Sequence, residues 1–239
     1  MNEEEPTEAD ITELEELRIE LTENYYGAIG KGISAWSRTE SGLVVIAALL
    51  LDTKQEKAGL ILYSIANFHS WLAIIDELFE MDPRYRALRP DWTVIANRLK
   101  KLNDTRVRLA HHALESGKGI EAIVAGEDIE MLLPSLKPSK YDTRTKSKKH
   151  SPLQIEQLAD FVDELAVVSK GLGELLKRMA PIFLEPKKKL VERVRELRRM
   201  AGVVEPEVES TAEKFLKHID MLNVVGTRDG EHRDQSDGK

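Results

Sequence analysis

Apolar residues recur along this chain with the three-to-four-residue period of helices almost throughout. Ile11, Leu14, Leu17 and Leu21 begin one such stripe, and it predicts a helix over residues 8–30. Ser37 to Glu40 has the pattern of a capping box, in which the first and last side chains satisfy each other's backbone amides. A second helix is expected from there through the apolar run 43–51, and its lack of a polar face makes it the most buried. Thr53 to Glu56 repeats the capping pattern and opens a third helix reaching Met81. Asp82-Pro83 closes it, because proline disfavours helical geometry in the residue before it.

The fourth helix starts near Pro90 and Asp91 and reaches about Leu114, ahead of Gly117 and Gly119. Residues 120–124 and 129–133 are short apolar runs around a turn and predict a small β-hairpin. A basic loop follows, with Lys137, Lys140, Arg144, Lys146, Lys148 and Lys149. Ser151 as N-cap and Pro152 at the first position then open a fifth helix. Its stripe is Ile155, Leu158, Val162, Leu165, Leu172 and Leu176. Beyond Pro181 the composition turns basic: residues 187–199 predict a charged helix, 206–222 a weaker one, and 227–239 a disordered tail. The expected class is an all-α bundle with a short hairpin after the fourth helix and a helical C-terminal extension. The expected division is 1–178 for the bundle, 179–226 for the extension and 227–239 for the tail.

Composition narrows the function classes. The 239 residues include no cysteine, so disulfide frameworks and thiolate metal sites are excluded. The net charge of −7 argues against a surface coated for nucleic acid, though not against a local basic site. The acidic start has no apolar core of a secretory signal, and the run 43–51 is shorter than the ~20 residues that span a bilayer. A cytoplasmic protein without membrane contact is expected. No His-x-x-x-His pair and no phosphate-binding glycine pattern occurs, so neither a metal nor a cofactor is expected.

One segment of the fourth helix breaks its own pattern. At about 100° per residue, Trp92, Ile95, Leu99, Leu102, Leu109 and Ala113 share one apolar arc, and Arg106 falls in its middle. Asp104, Arg108 and His111 gather on the polar side. An arginine on a core stripe must be paired, face a cleft or lie at an interface, because an isolated buried charge is costly. Pairing with a buried carboxylate such as Asp76 or Glu77 is the structural alternative to a functional site. Asp104 and Arg108, four residues apart, suit a surface ion pair, and Trp36, Trp71 and Trp92 suit the core.

The segment from Arg106 through Leu109 and Ala110 to His111 resembles the HEPN superfamily, helical domains found in many prokaryotic ribonucleases and in non-catalytic relatives. Their signature is an arginine followed after four to six residues by a histidine in an amphipathic helix. Arg106 matches the arginine, His111 the histidine, and His112 also fits the spacing. Val107 departs from the polar residue often found after the arginine. The resemblance implies a metal-independent endoribonuclease acting on RNA, in a defence or toxin–antitoxin setting, with Arg106 and His111 catalytic and Asp104, Arg108 and His112 nearby. The alternative is a non-catalytic interaction module of the same fold. Around a straight helix Arg106 and His111 stand about 140° apart. A homodimer presenting both copies would bring them together, and a partner protein could dock on the basic stretch from Lys187 to Arg199.

Overall fold

The computed structural model describes residues 7–115, 117, 134–138 and 152–201. The expected strands 120–124 and 129–133, the N-cap Ser151, the helix 206–222 and the tail 227–239 lie outside the described residues, as does the basic loop beyond Pro138. Five helices carry the fold: α1 (Glu8–Leu50), α2 (Gln55–Tyr63), α3 (Phe68–Met81), α4 (Arg89–His111) and α5 (Ile155–Met200). Two short strands, β1 (His112–Glu115) and β2 (Ser135–Pro138), pair antiparallel with Leu114 opposite Leu136. The protein is all-α with one short β pair, as its periodicity predicts.

The helix boundaries depart from the sequence in instructive ways. The expected first and second helices are one 43-residue helix, so Ser37 to Glu40 caps nothing and lies inside it. Thr39 is 1% exposed there, held among apolar neighbours that continue the helix. The expected third helix is two, α2 and α3, separated by residues 64–67. The N-cap of α2 is Lys54, which makes no side-chain cap, whereas Asn67 caps α3 by accepting a bond from the His69 amide at 2.9 Å. α4 ends at His111 rather than Leu114, because the backbone of 112–115 is taken up by pairing with β2. Long-range pairing overrides helical propensity here.

Chain contacts divide the molecule into two compact units: Met1–Ser37 with Lys101–Leu165, and Arg38–Lys100 with Ala166–Lys239. In the first, Gly32 lets Leu109 and Phe161 approach so closely that a Cβ there would lie 3.3 Å from the Leu109 side chain. Phe161 also stacks on Trp36, with centroids 6.2 Å apart. The Tyr25 hydroxyl donates to the Leu153 carbonyl at 3.1 Å, and Leu153 bridges to Leu136, which ties the start of α5 to β2. The Gln154 amide donates to the Gln157 side chain at 3.0 Å, one half of a capping box just ahead of α5.

In the second unit Leu43, Ile46, Leu62, Ile75, Phe79, Trp92 and Leu99 form a core at 0–1% exposure. Phe79 stacks on Trp92, and the Trp71 indole donates to the Ile65 carbonyl at 2.9 Å. α1 stops at Asp52, whose φ of 47° is left-handed. There the Thr53 amide reaches the Ala48 carbonyl and the Asp52 amide the Leu49 carbonyl, the two bonds of a Schellman cap. α5 runs without interruption through Pro181 and Pro186, so the expected boundary at 178/179 falls inside one helix and residues 187–199 are its continuation.

By length and composition α1 could cross a membrane over Ile11–Leu50, a length that the run 43–51 alone understates; 56% of its most apolar window is buried within the protein.

Candidate functional site

Arg106 lies five residues before the end of α4, on the arc that carries Leu99 and Leu109. Those two leucines are buried, and Arg106 is half-buried. The long aliphatic stem of arginine lets the side chain follow an apolar surface while its guanidinium reaches toward water. Neither carboxylate named above as a partner for it lies in the core. Glu77 is exposed and Asp76 half-buried, so neither is a buried carboxylate needing a partner from the core. Asp76 instead accepts from Arg89 at 2.8 Å, and Arg89 also holds Glu80 at 2.7 Å.

Asn103, one turn before Arg106, was not singled out by the sequence because asparagine is unremarkable on a helix. It is 8% exposed, and its Oδ1 is buried without a hydrogen-bond partner among the described residues. A buried acceptor left unmet costs about 1–3 kcal/mol, so its placement beside Arg106 on the same arc is a second departure from the rules of a core stripe.

The polar side of the helix behaves differently from its expected role. Arg108 is half-buried, and its Nη2 donates to the Pro152 carbonyl at 2.8 Å, clamping the end of α4 to the segment ahead of α5. Burial pulls its pKa down and the charge of Asp104 opposes that shift, so the pair acts at a half-buried joint and not on an open surface. Arg108 is therefore a structural clamp.

The two histidines separate by position. His111 is the last residue of α4 and exposed. His112 is the first of β1 and half-buried, and its Nδ1 stands 3.4 Å from the Leu136 carbonyl of β2. If that nitrogen carries the ring proton, the contact fixes the tautomer and makes Nε2 the basic position. Leaving the helix at residue 112 also frees His112 from the 100° stepping that sets His111 apart from Arg106. Ala113, expected on the apolar arc, is exposed on the strand.

The one groove of note among the described residues, about 270 Å³, belongs to the second unit. Leu72 and Ala96 line it, with Asp76, Glu77, Arg89 and Lys100 at its edges. Arg89 is committed to Asp76 and Glu80, which leaves its guanidinium little capacity for a ligand. No group of three or more histidine, aspartate or glutamate side chains that could hold a metal ion occurs among the described residues. In comparison with known proteins, no family model, no curated protein and no solved structure matches the chain.

Proposed function

We propose that this chain is a HEPN-like, metal-independent endoribonuclease acting in the cytoplasm, with its cleavage site built around Arg106 and His111 and with His112 beside them. The observation that carries this reading is Arg106 itself. It is a half-exposed cation in the middle of an apolar arc, five residues before an exposed histidine, at the point where α4 gives way to β1. Exposed surface arginines need no explanation, but one on a core arc beside the buried, unmet Oδ1 of Asn103 does.

The chemistry suited to these groups is transesterification of RNA. A neutral histidine accepts the proton of the 2′-hydroxyl, and the 2′-oxygen attacks the adjacent phosphorus. The bond to the 5′-oxygen breaks, that oxygen takes up a proton, and the products are a 2′,3′-cyclic phosphate and a 5′-hydroxyl. The planar fork of Arg106 is shaped to hold two phosphate oxygens as charge grows on them. The reading includes a homodimer with α4 near its two-fold axis, in which the His111 of one copy serves the Arg106 of the other.

The test is cleavage of single-stranded RNA by the full chain in EDTA, with the product ends identified. Cyclic phosphate ends and a loss of at least about 100-fold in His111→Ala and Arg106→Ala are expected, since general acid–base catalysis is worth 10²–10⁴-fold. His112→Ala should fall less than His111→Ala if the exposed ring is the one that moves the proton, and more if the tethered ring does. Absence of any cleavage by a folded parent chain overturns the enzyme reading.

A second reading, a non-catalytic interaction module of the same fold, draws on a separate observation. Leu190, Val191, Val194 and Leu197 are exposed apolar residues on the basic last turns of α5.

A further inference from the structure

The two long helices carry oppositely charged segments at the ends far from one another in the sequence. In the first unit the Tyr25 hydroxyl meets the Leu153 carbonyl at 3.1 Å, just ahead of α5, so residues 8–24 of α1 precede the place where the two helices come together. That segment is about 25 Å long and carries seven carboxylates, at Glu8, Asp10, Glu13, Glu15, Glu16, Glu20 and Glu23, against one cation, Arg18. In the second unit Lys187 bonds Asp52 at 2.7 Å, just beyond the end of α1, so residues 188–200 of α5 continue past that anchor. From Lys187 onward α5 carries seven cations against Glu192 and Glu196.

The α5 segment also presents a seam. Leu176 and Ala180 are buried, Phe183 is half-buried, and the same spacing of four and three continues through Lys187 into Leu190, Val194 and Leu197. Those last three are 65, 38 and 54% exposed. A row of a and d positions that leaves a core and runs on into solvent has the form of half a coiled coil. Arg193 and Arg198 flank it at the positions that choose a partner by charge. On α1 the heptad row Ile11, Leu14, Arg18 and Leu21, the last three half-buried, has Glu15 at its edge. The acidic side chains of residues 13, 15, 16, 20 and 23 are exposed.

We propose that the basic segment of α5 docks on the acidic segment of α1 in a second copy of this chain. The contact sets α5 of one copy against α1 of another. Charge complementarity selects this occupant: two α5 segments brought together would set cation against cation, and two α1 segments carboxylate against carboxylate. The contact is separate from the Arg106 site and goes beyond the proposed cleavage.

Sedimentation of the full chain over a range of concentration and salt tests it. The parent chain should self-associate, and the association should weaken as salt screens the exposed charges. Arg193→Glu with Arg198→Glu, both exposed positions, should weaken association about tenfold or more with helicity unchanged by circular dichroism. Glu15→Lys with Glu16→Lys should do the same. Mixing the two variants should restore a complex, because the reversed α5 of one then meets the reversed α1 of the other. Failure of the mixture to associate overturns the proposal, as does a reversed chain that assembles like the parent. Loss of RNA binding with unchanged assembly in the α5 variant would assign that segment to polyanions and also overturn it. His111→Ala should assemble as the parent does, so the cleavage reading and this one fail independently.

Discussion

At the residue scale, the sites that matter are those where a side chain contradicts its surroundings. Asp52 is one, a non-glycine residue at φ 47° that ends α1. A left-handed position costs an ordinary L-residue roughly 1–2 kcal/mol, and aspartate tolerates it better than most. Its carboxylate also holds Lys187, but both groups are about half exposed, so that pair contributes at most about 1 kcal/mol. Asp52→Gly should therefore change stability little, with relief of the backbone offsetting the lost ion pair. Asp52→Ala loses the pair and keeps the strain, and urea unfolding should place it about 1–2 kcal/mol below the glycine variant. Equal midpoints for the two would show that the backbone conformation is not what limits this turn. Arg106 is the other contradiction, and it was legible in the sequence because a 100° projection exposes a charge on an apolar arc. Asn103 was not, since its burial depends on what packs against α4 from elsewhere in the chain. The bond from Arg108 to the carbonyl of Pro152, 44 residues away, was not legible for the same reason.

At the scale of the element, local signals predicted where helices exist and failed at where they stop. The apolar period located the residues of all five helices, and the buried Trp36, Trp71 and Trp92 sit in the cores as their pattern implied. The capping box at Ser37 was overruled because residues on both sides of it have core to bury. The end of α4 was overruled by β2, a partner 24 residues distant in the chain. α5 shows the opposite case, since the change in composition beyond Pro181 suggested a boundary at 178/179 and the helix continues through both Pro181 and Pro186. An interior proline removes one helical bond and sets its ring against the carbonyl four residues back, at a cost of about 3 kcal/mol. Around Pro181, packing of Met179, Ala180 and Leu184 at 0–6% exposure holds the helix together. Pro186 is exposed, and just beyond it Lys187 contacts Asp52 and, at 3.6 Å, the Phe183 ring. Pro186→Ala should raise the local opening free energy of residues 187–200 by about 1–3 kcal/mol. Amide hydrogen exchange in that segment reads the effect directly. Unchanged exchange rates would mean that the segment is already held by something other than its own helix bonds.

At the scale of the whole molecule, each unit buries a tyrosine whose ionisation the fold strongly resists. Tyr25 in the first unit and Tyr85 in the second are 3% and 0% exposed. Burial pushes both hydroxyls up to about 12, with Glu156 adding to the effect at Tyr25 while Arg84 opposes it at Tyr85. In the unfolded chain each ionises near 10. The native state therefore holds its phenolic protons where the unfolded state has released them, and stability must fall as pH rises from about 10 toward 12. Below pH 10 the contribution of both groups is complete, so no change is expected from them near neutrality. The shift is worth at most about 2–3 kcal/mol per tyrosine, which is a sizeable share of the 5–15 kcal/mol that holds a domain together. The two differ in what they lose on substitution. Tyr25→Phe removes the bond to Leu153 and should cost about 1 kcal/mol at pH 7, while flattening the alkaline loss. The Tyr85 hydroxyl is buried without a hydrogen-bond partner among the described residues, so Tyr85→Phe should be neutral or stabilising at pH 7 and should flatten the loss as well. Thermal unfolding of the parent and both variants at pH 7, 10 and 11.5 checks the sign and the magnitude. A parent chain as stable at pH 11.5 as at pH 7 would show that both hydroxyls reach water without unfolding.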